Sequence, residues 1–254
     1  MYILELNFEC YRDTSLGETE PAIVNYLDML RYQGQILGRE FPTSMQDGGF
    51  VTRVVCPEQD SLHPDNQSEQ VALAEQGLHQ AGLLAPKPQL LGMDLLSDST
   101  DPCCQEGERP SWMLLYTSFV HTCSPLRCGD HFAPIPLYRL PAIANGDHKQ
   151  IIKWQEDWEA CDQLQMNGSI AEHAVLHEIS EVGSRLQRRG SDLARRLEGL
   201  CGIPTYYYLY RVGGLSAAGE KARPCPSCGG EWALAAPLHE IFDFKCDPCR
   251  LVSN

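Results

Sequence analysis

Cys225-Pro-Ser-Cys228 and Cys246-Asp-Pro-Cys249 decide the fold of the end of this chain. The two C-x2-C pairs are separated by 17 residues, from Gly229 to Lys245. That gap lies within the range of about 15–20 residues that is typical of four-cysteine zinc sites. Two thiolates three residues apart on a tight turn can face one cation, and a second such turn closes a tetrahedron around it. We therefore predict a structural zinc ribbon over residues 222–254, with one Zn²⁺ per chain bound by Cys225, Cys228, Cys246 and Cys249.

The alternative for these four cysteines is a pair of disulfides. Disulfide-rich scaffolds are short secreted chains, whereas the other cysteines here are scattered along 254 residues. The first residues, MYILELNFECY, have no basic segment and carry Glu5 within their apolar run, so they predict a strand and not a signal peptide. No apolar run reaches the roughly 18–20 residues of a membrane span. We expect a soluble, cytoplasmic protein.

The chain is acidic, with a formal net charge of −14. Residues 1–150 carry nine Lys and Arg against 20 Asp and Glu, so most of the negative charge lies in the first part of the chain. Proteins that bind duplex DNA usually present a basic face. The charge therefore counts against simple duplex binding, and it favours a basic protein partner for the N-terminal part.

The first 95 residues alternate between strand and helix patterns. Apolar residues with a period of two predict strands at residues 2–8, 35–41, 50–55 and 88–95. Helical spacing predicts helices at residues 18–32 and 67–81. The resulting order, βαββαβ, indicates a ferredoxin-like unit over residues 1–96. On the sheet face opposite the core, Glu5 and Arg53 are expected to form a cross-strand ion pair.

A polar loop at residues 97–110 is the expected boundary to a mixed α/β central region over residues 111–213. Within this region, strands are predicted at residues 112–120 and 205–212, a short extended piece at 134–140 and a helix at 147–166. A second helix is predicted to begin at Ser169, with Glu172 at the capping-box position, and to break near Gly183 or Gly190. With the ribbon, these elements predict an α+β fold.

A second group of soft ligands lies in the central region. His121 and Cys123 are two residues apart, and Cys128 and His131 have the spacing of a knuckle pair. The four side chains are a candidate second metal site. The competing interpretation is a well-packed loop in which the cysteines act as small apolar residues.

The one basic concentration in the sequence lies in residues 185–211. Its six arginines outnumber two acidic residues and are candidate contacts to RNA or single-stranded DNA. The alternative is a set of intramolecular ion pairs on a solvated helix. These arginines are Arg185, Arg188, Arg189, Arg195, Arg196 and Arg211.

The sequence gives no sign of an active site. His173 and His177 are four residues apart, but the zinc-protease pattern needs Glu where Ala174 stands. The chain also lacks a nucleophile elbow, a Gly-rich phosphate loop and an EF-hand. We therefore predict that the protein is not an enzyme.

Several runs carry a resemblance to a known family. They are VVCPEQDSLHP, HTCSPLRCGDHFAPIPLYRLPAIANGDHK, KWQEDWEACDQLQMNG, GIPTYYYLYRVGG, CPSCGG and FDFKCDPCRLVSN. From ELNFECY to its last residue, the chain resembles an uncharacterised bacterial family described as zinc-ribbon-containing and as a candidate for nucleic-acid binding. The resemblance implies that Cys225, Cys228, Cys246 and Cys249 are the ribbon ligands. It implies no catalytic residue and no substrate.

Two functions follow from the sequence. The first is a non-catalytic zinc protein that binds RNA, single-stranded DNA or a nucleoprotein machine through the 185–211 region and the ribbon. The alternative is a protein-protein interaction adaptor that uses its acidic N-terminal domain, with a purely structural ribbon. Neither function involves a membrane.

Overall fold

The structure, a computed structural model, describes residues 1–95 and 109–254. It divides the chain into two compact units, each with its own sheet, and the fold is mixed α+β. The first unit contains residues 1–95 with the later segments 122–124 and 135–149. The second contains residues 109–121, 125–134 and 150–254. Most of the boundary loop expected at residues 97–110 lies outside the described residues.

The first unit has the element order that the hydrophobic periodicity predicted: strand, helix, two strands, helix, strand. Its strands form one antiparallel sheet in the order β2-β3-β1-β4. The edges of this sheet are therefore β2 and β4. The elements are β1 Tyr2–Glu9, α1 Leu16–Gln33, β2 Thr43–Gln46, β3 Gly49–Cys56, α2 Glu69–Gln80 and β4 Lys87–Met93.

Alternation along β1 explains the core of this unit. Leu4, Leu6 and Phe8 point to one side of the sheet and are buried. On the opposite side, Glu5 lies directly across from Arg53 and accepts a hydrogen bond from its Nε at 3.1 Å. The predicted cross-strand ion pair is therefore confirmed. The helices complete the core with Ile23, Leu27, Leu30, Val71, Ala74 and Leu78.

Residues 35–41 do not form the strand that the sequence predicted. The segment follows the left-handed Gly34, and Gly38 within it has a φ of +105°, which an extended strand does not have. All seven residues are described, and Leu37 alone among them forms a β-bridge, by donating its N–H to the carbonyl of Val55 at 2.8 Å. The second strand begins instead at Thr43.

The second unit is built on a six-stranded sheet in the order β6-β5-β7-β10-β9-β8. Its β7 lies parallel to both β5 and β10, and the other pairs are antiparallel. Strands from residues 111–213 and from residues 222–254 therefore share one sheet. The elements are β5 Met113–Leu115, β6 Leu126–Cys128, α3 Lys149–Asn167, α4 Glu172–Ser180, α5 Arg185–Cys201, β7 Thr205–Tyr208, α6 Ala217–Lys221, β8 Ala233–Leu238, β9 Phe242–Cys246 and β10 Leu251–Ser253.

The helical stretch predicted after Ser169 consists of two helices. The residue that precedes α4 is Ala171, with a φ of +55°, so the predicted cap at Ser169 is wrong. The break falls at Gly183, one of the two predicted positions, and the Ser184 hydroxyl caps α5. The other predicted position, Gly190, lies inside α5. None of the helices that the structure describes has the length and apolarity needed to cross a membrane.

The tyrosines of β7 are part of the interior. Tyr206, Tyr207 and Tyr208 are all buried, although they alternate between the two faces of the sheet. The ring of Tyr207 packs against Trp154, with centroids 5.8 Å apart, and the ring of Tyr208 packs against Tyr116 at 4.8 Å. These rings stabilise the core and are not presented for stacking on bases.

Gly190→Ala is expected to destabilise the second unit. A Cβ at this position would lie 2.1 Å from Cε2 of Tyr207 and 2.7 Å from Nε1 of Trp154. We expect the free energy of unfolding to fall by about 1–3 kcal/mol, measured by urea denaturation with tryptophan fluorescence. Gly199→Ala in the same helix is the matched control, because its Cβ would meet open space. Similar losses in both variants would show that the close approach does not matter.

His148 should make the stability of the first unit depend on pH. The residue is 1% exposed, and burial is the main cause that lowers its pKa from 6.5 to about 4. In the unfolded chain the His148 imidazole binds a proton near pH 6.5, whereas in the folded chain the imidazole stays neutral until about pH 4. The stability supplied by neutral His148 is therefore present above pH 6.5 and is lost as the pH falls through this window, by at most about 3 kcal/mol.

The measurement is the free energy of unfolding in urea at about pH 7 and about pH 4.5, for the wild type and His148→Gln. The variant should lose less stability on acidification, because it has no imidazole to protonate. Equal losses in the two proteins would contradict the assignment.

Candidate metal centre

The first pair of cysteines lies on a tight turn. The N–H of Gly229 donates to the carbonyl of Cys225, and the N–H of Cys225 donates to the carbonyl of Gly230, both at 2.8 Å. Gly229 has a φ of +74°, a left-handed conformation that favours glycine. This turn places Cys225 and Cys228 on the same side.

The second pair lies on the turn between β9 and β10. Cys246 is the last residue of β9 and pairs with Leu251, the first residue of β10. Arg250, between them, has a φ of +52°, which closes the turn after Cys249. Because β10 also pairs with β7, this turn connects the four-cysteine group to the middle of the six-stranded sheet.

The four thiols converge. The sulfur atoms of Cys225, Cys228, Cys246 and Cys249 all lie within 4.8 Å of one another, and the Cys228 and Cys246 sulfurs are 3.7 Å apart. A tetrahedron with metal–sulfur distances of about 2.3 Å has edges of about 3.8 Å. A disulfide needs a sulfur–sulfur distance of about 2.05 Å, and every described cysteine is a free thiol. The group is therefore compatible with a bound metal ion.

Cys228 ionises more easily than Cys246 and Cys249. The hydrogen bond from the backbone of Gly230 is the main cause that lowers the pKa of Cys228 to about 7. Burial raises the pKa of Cys246 and of Cys249. Metal ligands must be thiolates, so Cys228 is prepared for the ion by the protein. The second pair depends more on the charge of the ion itself.

Charged side chains attach the second turn to the rest of the unit. Glu198 in α5 accepts two hydrogen bonds from the Arg250 guanidinium, at 3.0 and 3.1 Å, and these bonds are the main cause that lowers the pKa of the carboxyl. Asp247 accepts from the Tyr206 hydroxyl and from the Lys245 ammonium, both at 2.6 Å. No local spacing relates Glu198 to Arg250, which is why sequence analysis missed this pair.

Arg211 packs against two aromatic rings of the segment 222–254. Its guanidinium lies 4.1 Å from the centroid of the Phe244 ring and 5.8 Å from that of Trp232. The same group forms an ion pair with Glu220 in α6. The Arg211 side chain is only 9% exposed. It is therefore placed to hold α6 against the Phe244 ring and not to contact a phosphate.

Ion pairs neutralise part of the arginine-rich region. Arg185 and Arg188 are exposed on α5 and form no ion pair within the described part of the chain. The pairs are Arg189 with Asp157 at 2.5 Å, Arg196 with Asp192 at 2.8 Å and Arg195 with Asp192 at 3.8 Å. The ion-pair interpretation therefore holds for Arg189, Arg195 and Arg196.

The candidate second metal site, at His121, Cys123, Cys128 and His131, does not converge on one point as the first group does. Residues 1–95 and 109–254 contain no further group of three or more His, Cys or acidic side chains that converge on one point. Cys128 has its sulfur 3.7 Å from Nδ1 of His131, and the Nδ1 of His121 lies 2.5 Å from the Ser118 hydroxyl. Cys123 and Cys128 are buried.

Comparisons with known proteins cover the whole chain. A protein of Haemophilus influenzae, described as "Uncharacterized protein", is 47% identical over 261 residues, with 100% of this chain and 98% of that protein covered. The chain belongs to that protein's family. A second protein of the same organism and description is 52% identical over 168 residues, with 65% of this chain and 80% of that protein covered. No solved structure matches the chain significantly.

Three domain families match successive parts of the chain, and each is described as a domain of unknown function. They are DUF8589 at residues 1–92, DUF2310 at 107–210 and DUF8594 at 214–254. None of these descriptions names a zinc ribbon or a nucleic acid. In the structure, strands from the second and third matches pair in one sheet, because β10 of the third lies beside β7 of the second.

Metal removal is expected to destabilise the whole second unit and not the ribbon alone. Because β10 pairs with β7 on one side and β9 on the other, loss of the second turn removes a neighbour from the central sheet. Cys246→Ser should abolish metal binding and increase amide hydrogen exchange in β7 as well as in β9. Cys201→Ser, at a partly buried thiol in α5, should change neither. Increased exchange confined to residues 222–254 would contradict the coupling.

Proposed function

We propose that this chain is a non-catalytic zinc-binding protein in which one Zn²⁺ per chain has a structural role. The convergence of four thiols within 4.8 Å carries this proposal. Zinc prefers a tetrahedron of thiolates, and four protein ligands leave no position for water or substrate. Ion binding of this kind supplies on the order of 10 kcal/mol of folding free energy to small modules. A contribution of this size would stabilise the small segment β8–β10, in which β10 has only three residues.

The same proposal includes a fold assignment for each part. The strand order β2-β3-β1-β4 with the connectivity βαββαβ supports a ferredoxin-like first unit. The two cysteine turns with β8, β9 and β10 support a zinc ribbon. Free thiols suit a reducing compartment, and we place the protein in the cytoplasm.

Elemental analysis of protein purified without added metal tests the zinc proposal. We expect about one zinc per chain in the wild type and in Cys201→Ser, and none in Cys246→Ser. A different stoichiometric metal, or a wild-type protein without metal that folds normally, would refute the proposal.

Binding of single-stranded nucleic acid is a second candidate function, and one observation favours it. Arg185 and Arg188 lie three residues apart, so they share one face of α5, and both are exposed without an ion pair among the described residues. Two guanidinium groups on one face suit consecutive phosphates. Arg195 and Arg196 lie about two to three turns further along the helix but share Asp192.

The test is a titration of fluorescent single-stranded RNA and DNA against the zinc-loaded chain at several salt concentrations. We expect log K to fall linearly with log salt, with a shallower slope for the double variant Arg185→Glu/Arg188→Glu. Arg53→Glu/Lys87→Glu makes the same charge change in the first unit and should keep the wild-type slope. Absence of binding at low salt would remove this function and leave the zinc proposal untouched.

The remaining alternative is an adaptor for a basic protein. The excess of acidic residues in residues 1–150 supports it, since charge complementarity speeds and orients association.

A further inference from the structure

The first unit contains a groove beside its edge strand β4. The volume of about 580 Å³ lies within the range of about 300–1,000 Å³ that is typical of ligand sites. Apolar side chains form most of its lining, and three polar side chains stand on one wall. The lining residues are Leu4, Leu62, Pro64, Pro88 and Leu90, with Gln59, Asp60 and His63 on the polar wall.

Hydrogen bonds hold the polar wall in place. The Glu58 carboxylate, which precedes Gln59, accepts from the Tyr138 hydroxyl and pairs with Arg139 at 2.7 Å. The buried Gln35 amide donates to the carbonyl of Ser61 at 2.8 Å. The wall is thus fixed on both sides of Asp60, so a ligand does not need to order it.

The strand at the groove's border has one free edge. In the described sheet β4 pairs with β1 and with no second strand, and its exposed side chains include Leu90 (42%), Leu91 (44%) and Met93 (64%). Unpaired backbone and apolar side chains on an edge are a template for another strand. Leu90 lies opposite the buried Leu4 in the sheet, so the two side chains point to the same face. A strand added beside β4 would therefore direct alternate side chains into the groove.

Charge indicates what kind of strand fits. The Asp60 carboxylate forms no hydrogen bond or ion pair within the residues described. The guanidinium of Arg139 is already paired with Glu58. A cationic side chain on the incoming strand would complete the site. A second copy of this chain would bring another net charge of −14, and a nucleic acid would also be repelled.

We propose that the groove and the free edge of β4 bind an extended peptide segment of a partner protein. The backbone of the peptide pairs with β4, and its apolar side chains at alternate positions enter the groove. A Lys or Arg two residues beyond the last of these apolar side chains pairs with Asp60. This is β-strand addition with one charged anchor. It gives a site to the adaptor role of the acidic unit and does not depend on zinc or on the α5 arginines.

The test uses the full zinc-loaded chain and a fluorescent peptide, Lys-Thr-Val-Thr-Val-Thr-Lys, whose symmetry fits either strand direction. We expect fluorescence anisotropy to show binding, and the matched peptide with Glu in place of Lys to bind at least about tenfold more weakly. Asp60→Asn and Leu90→Lys should each weaken binding by about tenfold or more. Met45→Lys in β2, the opposite edge, and Asp47→Asn in the turn after it make the same changes and should have no effect.

Three results would overturn the proposal: no binding of either peptide, equal binding of both, or equal affinity in all four variants. Light scattering provides a further arm. A dimer that Leu90→Lys disrupts and Met45→Lys does not would assign the edge to a second copy of the chain instead of a peptide. Zinc content is measured in every variant, and an unchanged value of about one per chain separates failure here from failure of the zinc proposal.

Discussion

Strand β10 has three residues, yet the arrangement of the second unit depends on it. It pairs with β7 on one side and β9 on the other, and so joins the strands of residues 113–208 to those of residues 233–246. A strand this short cannot order itself, because its few hydrogen bonds do not offset the loss of conformational freedom. The turn that precedes it carries Cys246 and Cys249. A metal ion bound by these thiols would therefore stabilise the start of β10 and, through it, the middle of the sheet.

Ion pairs occupy several of the arginines in the second unit. The pair of Arg250 with Glu198 connects the segment 222–254 to α5, and the pair of Arg211 with Glu220 connects α6 to the residues that follow β7. The Arg211 pair is largely buried, so removal of one partner would leave a charge without compensation, whereas exposed pairs contribute at most about 1 kcal/mol. A basic run in the sequence is consequently only in part a basic surface. Asp60 differs from these residues because it borders a groove and keeps its carboxylate unpaired in the described structure.

Local patterns predicted the elements whose cause is local. Alternation in β1 identified its buried face and the Glu5–Arg53 pair, and Gly183 marked a helix break. The prediction of a strand at residues 35–41 was wrong, because an apolar pattern does not reveal the positive φ of Gly38. The cap at Ser169 was wrong because a capping sequence does not by itself fix where the helix begins. The short β6 had too few residues to show any period.

For the four-cysteine group, the sequence by itself determined which thiols converge, since two residues between cysteines fix a tight turn and 17 residues allow a hairpin to return. Only the tertiary structure decided that strands of residues 222–254 continue the central sheet, that Arg211 lies over the Phe244 ring, that the three tyrosines lie in the core, and that a groove accompanies β4. The physical reason is the range of the interactions. Turns and periodicity depend on neighbours along the chain, whereas strand order, burial and charge pairing depend on residues that meet only after folding.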